Sequence, residues 1–110
     1  DVSSGPGTHW VAVYIDNKNN EINFYDSYGS KPIHLINVFL NNIKKKYEKL
    51  NQKSIIIYND TRHQYGGSEC GMYSINFLLE RLNNISMYKI SKRKITDKKM
   101  NDLRKLVYKT

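Results

Sequence analysis

The pattern that most restricts the fold of this chain is a pair of short apolar segments separated by five turn residues. His9–Ile15 (HWVAVYI) is rich in β-branched and aromatic residues, and Glu21–Asp26 (EINFYD) alternates, so both are predicted strands. The residues between them, Asp16–Asn20, all favour turns. The sequence therefore predicts a β-hairpin.

The register of this hairpin decides which side chains face each other. If the turn is Asp16–Asn19, Ile15 pairs with Asn20 and His9 faces Asp26, on the side of the hairpin that also carries the apolar residues Val11, Val13, Ile15, Ile22 and Phe24. Opposed Cβ atoms lie about 4.5 to 5.5 Å apart, so the imidazole could reach the carboxylate. At the rim of a buried face the two groups are costly alone and favourable as a pair. These residues alone fit a structural contact and a catalytic pair equally well.

The middle of the chain predicts a helix followed by a third strand. Apolar residues recur at helical spacing after Pro32, at Ile36, Phe39, Leu40, Ile43, Tyr47 and Leu50. The run Ser54–Asn59 (SIIIYN) is predicted to be a strand buried on both faces, reached by a crossover connection.

Two more helices are predicted towards the C-terminus. The first begins at Cys70, and its predicted core stripe consists of Met72, Ile75, Leu78, Leu79 and Leu82. The second is basic and amphipathic, with a Thr96 cap and Asp97 in its first turn. The predicted fold class is α+β, with a small mixed β-sheet packed by helices.

Cysteine count, hydropathy and charge narrow the classes of function. One cysteine cannot form an internal disulfide, so we expect an intracellular protein, and the longest apolar runs are far short of the ~20 residues that cross a bilayer. A structural zinc site needs four ligands, and no suitable cluster exists, so we expect no metal and no cofactor. Residues 84–110 contain nine Lys or Arg against two Asp or Glu, which fits a solvated helix face or a weak nucleic-acid contact.

The sequence around Cys70, HQYGGSECGMY, leaves two interpretations of that residue open. Most cysteines before a helix are inert core residues. At a helix N-terminus, however, the unpaired N–H groups and the dipole favour the thiolate. Gly66 and Gly67 should give the preceding loop unusual backbone freedom. Gln64, six residues before Cys70, could bring its side-chain amide towards the same point as the Cys70 backbone N–H. Together with an oriented histidine, this favours a nucleophile.

Three segments of the chain resemble the signature blocks of one family of cysteine proteases. GTHWVAVYID, FYDS and HQYGGSECGMYSINFL are similar to those of the SUMO-specific (ubiquitin-like) proteases, adenain of adenoviruses and the polyprotein-processing proteases of large DNA viruses. The His–Trp pair, the intervals of 17 residues from His to Asp and 6 from Gln to Cys, and the acidic-Cys-Gly core all match. The tail ISKRKITDKKM is most similar to the large-virus members, such as the protease of African swine fever virus.

This resemblance implies a papain-related fold and a role for each matched residue. His9 would be the general base, Asp26 its orienting partner, Gln64 an oxyanion donor and Cys70 the nucleophile at a helix N-terminus. Cleavage would follow a Gly-Gly or Gly-X sequence, in a viral polyprotein or a ubiquitin-like conjugate. We predict Trp10 and Gly67 as substrate contacts.

The family also has strands and helices upstream of the catalytic histidine. The expectation is therefore that residues 1–110 form the C-terminal catalytic part of a single protease domain and act as a monomer on a protein substrate. In a viral setting the location would be the host cytoplasm or the virion, and in a cellular setting the nucleus or cytoplasm. Two alternatives remain: a catalytically inactive module that binds ubiquitin-like tails or nucleic acid, and an acyltransferase. His34 and His63 are predicted to be exposed and outside the site.

Overall fold

The computed structural model describes residues 9–107, which form three strands and four helices. In chain order these are β1 (Ala12–Asp16), β2 (Glu21–Tyr25), α1 (His34–Lys49), β3 (Ile55–Tyr58), α2 (Cys70–Leu82), α3 (Met87–Lys92) and α4 (Asp97–Val107). The predicted α+β class is confirmed, and α3 is the one element that the sequence patterns did not predict. A cap accounts for it, because the Ser86 side chain accepts a hydrogen bond from the Lys89 N–H.

The hairpin forms, but its predicted register is wrong by two residues. Strands β1 and β2 are antiparallel with Ile15 opposite Ile22, not opposite Asn20. The four-residue turn is Asn17–Asn20 instead of Asp16–Asn19. A shift of two residues keeps every side chain on its predicted face, so the grouping of His9 with Asp26 is unaffected.

Hydrogen bonds within the turn explain the register. Asp16 accepts bonds from the backbone N–H groups of Lys18 and Asn19 and from the Asn19 side chain, so it closes the turn while it pairs with Glu21 in the ladder. Asn20 has a φ of 54°, in the left-handed region that asparagine tolerates better than most residues. These local bonds place the turn at Asn17–Asn20, one residue later than predicted.

Strand β3 lies parallel to β2 and is reached through α1, so the predicted crossover connection is confirmed. It lies at one edge of the described sheet, whose strand order is β1-β2-β3. Its side chains are less buried than predicted, since Ile55 is 55% exposed and Tyr58 37% exposed. The prediction of a strand buried on both faces is therefore wrong for these described residues.

The sheet is covered on both faces, which makes a three-layer arrangement. Helix α1 covers the face that includes Ile22, Phe24, Val11 and Val13, with Leu40 and Tyr47 at the centre of the contact. The opposite face packs against the other helices through Ala12, Tyr25, Met72, Tyr73, Phe77, Met87, Ile90, Ile95 and Met100. The hairpin thus has two buried faces where the alternation predicted one.

The buried side of helix α2 differs from the side that was predicted to face the core. Met72 is buried as expected, but Ile75, Leu79 and Leu82 are exposed. The buried positions are instead Cys70, Tyr73, Ser74, Phe77 and Arg81.

A buried ion-pair network explains how a charged residue comes to lie on that side. The Arg81 guanidinium donates to Asn23 Oδ1 and to Asp16 Oδ2, both at 2.8 Å, and lies over the Tyr14 ring. The end of α2 is therefore tied to the hairpin by polar contacts, which apolar periodicity does not reveal.

Chain direction brings the predicted site residues to one end of the sheet. Strand β1 begins at this end, and β2 and β3 finish there, because β2 runs antiparallel to β1 and parallel to β3. His9 precedes β1, Asp26 follows β2, and the loop after β3 leads to Cys70. Within residues 9–107, no helix has the length and apolar character needed to cross a membrane.

Candidate active site

His9 and Asp26 form the predicted contact. His9 Nε2 lies 3.0 Å from Asp26 Oδ2, with the imidazole 39% exposed and the carboxylate 7% exposed. Because a carboxylate only accepts, the Nε2 hydrogen points to Asp26, and Nδ1 is the nitrogen that remains to exchange a proton. In the observed register the two residues meet as diagonal neighbours beyond the paired strands.

The turn after β2 holds Asp26 in place. Its second oxygen, Oδ1, accepts the Tyr28 N–H at 2.8 Å, and its backbone carbonyl accepts from Gly29 N–H and from the Asn59 side chain. Gly29 has a φ of +75°, and a Cβ there would lie 2.9 Å from the Thr61 carbonyl carbon. Glycine is therefore required for the Asp26 turn to approach the loop after β3.

Cys70 is the first residue of α2, and its side chain is buried against the segment that carries His9. The Trp10 backbone N–H donates a hydrogen bond to Cys70 Sγ, with 3.4 Å between the nitrogen and the sulfur. The Trp10 ring lies over Gly71, the next residue of the helix, with ring atoms 3.8 Å from the position of an added Cβ. The histidine segment and the start of the helix are thus in direct contact.

Gln64 is fully buried and held at both ends of its amide. Its Oε1 accepts from the Ser27 hydroxyl at 2.5 Å, and its Nε2 donates to the Gly66 carbonyl at 2.8 Å. The backbone N–H of Gln64 also bonds to the Ser27 carbonyl. The predicted oxyanion donor is therefore anchored to the residue that follows Asp26.

The sequence did not identify Ser27 and Tyr28 as residues of the site, although they follow Asp26 directly. The Tyr28 ring lies beside the His9 ring, with centroids 5.1 Å apart, and its hydroxyl donates to the Gly66 carbonyl at 2.9 Å. Burial raises the pKa of the Tyr28 hydroxyl, and nearby Cys70 raises it further. Tyr28 therefore links the histidine side of the site to the glutamine loop, a role that neither spacing nor composition signals.

The two residues predicted as substrate contacts both lie at the surface of this site. Trp10 is 60% exposed, so it does not simply fill the core, and Gly67 is exposed with no atom within 4 Å of an added Cβ. Neither Gly66 nor Gly67 has a positive φ, so the predicted special backbone freedom is not used there.

The prediction that His63 is exposed is wrong, because its side chain is buried. Its Nδ1 is 2.8 Å from the Tyr25 hydroxyl and its Nε2 is 3.2 Å from the Ser91 carbonyl. Since a carbonyl only accepts, Nε2 carries the hydrogen and Nδ1 accepts from the tyrosine. His34 is exposed at the start of α1, as predicted.

Among the described residues, no group of three or more His, Cys, Asp or Glu side chains is arranged to hold a metal ion. A histidine bonded to a carboxylate, on a segment that contacts a cysteine at a helix N-terminus, is typical of cysteine hydrolases.

The comparisons with known proteins specify the class further. Residues 5–110 match the Ulp1 protease family, C-terminal catalytic domain, and the chain belongs to this family. It is 32% identical over 108 residues to a cysteine protease of African swine fever virus (isolate Tick/Malawi/Lil 20-1/1983), covering 94% of this chain and 39% of the relative. It is 31% identical over 104 residues to a protein named as a thiol protease in Acanthamoeba polyphaga mimivirus, covering 94% of this chain and 34% of that one.

Solved structures agree on the fold. The crystal structure of the African swine fever virus protease superimposes with a TM-score of 0.86 at 28% identity, covering 98% of this chain and 41% of that chain. The SUMO protease Ulp1 superimposes with a TM-score of 0.57 at 24% identity, over 76% of this chain and 42% of the other, which supports the fold alone. The chain thus spans between 34% and 42% of the length of these relatives.

Proposed function

We propose that this chain carries the catalytic residues of a thiol protease that hydrolyses peptide or isopeptide bonds through a thioacyl-enzyme. One observation supports this most directly: His9, which is paired with Asp26, lies next to Trp10, whose backbone N–H contacts Cys70 Sγ. Membership of the Ulp1 protease family adds independent support.

In the proposed reaction, the Cys70 thiol gives its proton to His9 Nδ1 and the sulfur attacks the substrate carbonyl carbon. Asp26 keeps the Nε2 hydrogen on its side of the ring, so that Nδ1 accepts. The imidazolium then protonates the leaving amine as the carbon–nitrogen bond breaks. Water attacks the thioester carbon while His9 takes its proton, and the carbon–sulfur bond then breaks as His9 returns that proton to Cys70.

The oxyanion that forms at the carbonyl would be held by Gln64 and by the Cys70 backbone N–H. The Gln64 Nε2 has two hydrogens, and the bond to Gly66 uses one of them. Its burial and its bond to Ser27 keep the amide fixed before substrate arrives, which is what makes such donors effective.

We infer that the scissile bond follows Gly-Gly or Gly-X, with Trp10 and Gly67 lining the approach to Cys70. An exposed aromatic ring beside the nucleophile and a loop with no side chain at residue 67 suit a narrow, extended substrate. A relative from another African swine fever virus isolate is named a SUMO-1 cysteine protease. Cleavage of a viral polyprotein and of a SUMO-like conjugate would use the same residues.

We also propose that the chain is the C-terminal catalytic part of a longer protease domain, acting as a monomer inside a cell or virion. The greater length of its relatives supports the first point. Contact with nucleic acid through residues 84–110 would be weak, because several of these cations lie beside acidic groups, including Arg93 with Glu80 and Lys98 with Asp102.

The test is cleavage by the full-length protein of SUMO fusions, ubiquitin fusions and a set of Gly-Gly-X peptides. We expect cleavage after the glycine pair by the wild type and none by Cys70→Ala, and the preferred substrate distinguishes the two tasks. Binding of a fusion without turnover by the wild type would contradict the proposal and support a non-catalytic binding module.

A further inference from the structure

Asp97, the first residue of α4, holds a loop of the site that lies more than thirty positions earlier in the chain. Its Oδ2 accepts the Gly66 N–H at 2.7 Å and the Tyr65 N–H at 3.1 Å. Its Oδ1 accepts the Tyr73 hydroxyl at 2.7 Å, from the second turn of α2. One carboxylate therefore joins α4, α2 and the loop between β3 and α2.

The bonds to this loop lead directly to Gln64. Asp97 holds the N–H of Gly66, while the carbonyl of the same residue accepts the Gln64 side-chain amide at 2.8 Å and the Tyr28 hydroxyl at 2.9 Å. A displacement of Gly66 would move the acceptor that orients the Gln64 amide. The position of the oxyanion donor thus depends on the position of Gly66.

Helix capping does not account for the orientation of Asp97. The N–H of Lys99 bonds to the Thr96 hydroxyl, so α4 already has a side-chain cap. Within residues 9–107, the Asp97 carboxylate accepts its hydrogen bonds from the loop and from Tyr73. Its orientation is therefore towards the site and away from its own helix.

Asp97 stays ionised in this environment. Burial alone would raise its pKa, but the hydrogen bonds from Tyr73, Gly66 and Tyr65, with the positive charge of Arg62, outweigh burial and hold the pKa below its ordinary value. Arg62 also donates to the Gln64 carbonyl at 2.8 Å. At neutral pH both Asp97 oxygens thus act only as acceptors, as the two loop N–H groups and the Tyr73 hydroxyl require.

We propose that Asp97 is a positioning residue for the oxyanion donor: it fixes Tyr65 and Gly66 and thereby keeps the Gln64 amide aimed at the reacting carbonyl. This inference rests on the proposed function, because it takes the oxyanion role of Gln64 from there. It assigns to α4, in the basic part of the chain, a role in the chemistry of a site to which it contributes no reacting group.

The test separates oxyanion binding from thiol reactivity in the full-length protein. Peptide cleavage forms an oxyanion, whereas alkylation of Cys70 by iodoacetamide does not. For Asp97→Ala we expect kcat to fall about 10-fold or more, since losing an oxyanion donor outright costs about 10²–10³ in kcat. The KM and the alkylation rate should stay close to wild type.

Two matched variants complete the test. Asp97→Asn should restore most of kcat, because its oxygen can accept both loop N–H groups while its NH₂ donates to the Tyr73 oxygen, leaving the Tyr73 hydrogen for the His63 carbonyl 3.0 Å away. Asp102→Ala removes the same charge from an exposed ion pair on the same helix and should leave kcat unchanged.

A turnover of Asp97→Ala equal to wild type would overturn the proposal, and so would an equal fall in turnover and alkylation. If the wild type shows no turnover, the proposed function fails, and hydrogen exchange of the Tyr65 and Gly66 amides still tests the contact. Exchange at these two amides should be faster in Asp97→Ala than in Asp102→Ala. Equal exchange in the two variants would overturn the proposed role of Asp97.

Discussion

At the scale of single residues, Asp26 differs from an ordinary histidine partner because both of its oxygens are occupied. Oδ2 accepts from His9 and Oδ1 from the Tyr28 N–H. An asparagine has one oxygen and one NH₂, so one of the two donors would face another donor. In Asp26→Asn the surrounding backbone would still hold the His9 ring near the oxygen of the new side-chain amide.

This difference predicts two unequal losses of activity. His9→Ala should lower kcat by about 10²–10⁴, the usual contribution of a general base, and Asp26→Asn should lower it less. Asp60→Asn, which changes a carboxylate that is 77% exposed, is the control and should not alter kcat. Asp26→Asn losing more activity than His9→Ala would show that the carboxylate does more than orient the ring.

The catalytic candidates were identifiable from the sequence because each has a chemically distinctive type at a fixed interval. His9, Asp26, Gln64 and Cys70 all lie at one end of the sheet. Ser27, Tyr28 and Asp97 could not be found in that way, because tyrosine, serine and first-turn aspartate have many structural uses. Only the folded loops show which groups they contact.

At the scale of elements, helical periodicity identified α2 but not its buried side. The exposed Ile75, Leu79 and Leu82 are as apolar as the buried Met72. The orientation of the helix depends on partners far away in sequence, including the contact of Arg81 with Asp16 and Asn23. The helical periodicity of apolar residues carries no information about those partners.

The short helix α3 depends on His63 for one of its contacts with the sheet. His63 lies between the Tyr25 hydroxyl of β2 and the Ser91 carbonyl of α3, and burial lowers its pKa below the ordinary value of 6.5. Between that lowered pKa and 6.5, the unfolded chain binds a proton that the folded chain does not. Stability therefore falls as the pH drops below about 6.5.

This linkage can be measured by urea unfolding between about pH 7.5 and 5.5. We expect the free energy of unfolding to fall less over this range in His63→Gln, which cannot titrate, than in the wild type. His34→Gln removes an exposed histidine and should behave as the wild type does. An equal fall in His63→Gln and wild type would show that His63 is not the titrating group.

At the scale of the whole molecule, the sequence predicted the topology better than the detailed register or burial. The hairpin, the crossover to a parallel third strand and the helix that begins at Cys70 all follow from local patterns. The two-residue register error arose because the side-chain bonds of Asp16 move the four-residue turn one position along the chain, which spacing does not reveal. The second covered face of the hairpin was missed because the later helices supply its cover.

The central claim is that these elements converge to make Cys70 a nucleophile for a carbonyl that follows Gly-Gly. The most direct measurement is covalent labelling of the full-length protein by a Gly-Gly probe with a C-terminal thiol-reactive electrophile, read by intact mass and peptide mapping. The wild type should gain a single adduct at Cys70, Cys70→Ala should gain none, and His9→Ala should react more slowly. Undiminished labelling of Cys70→Ala would contradict the account.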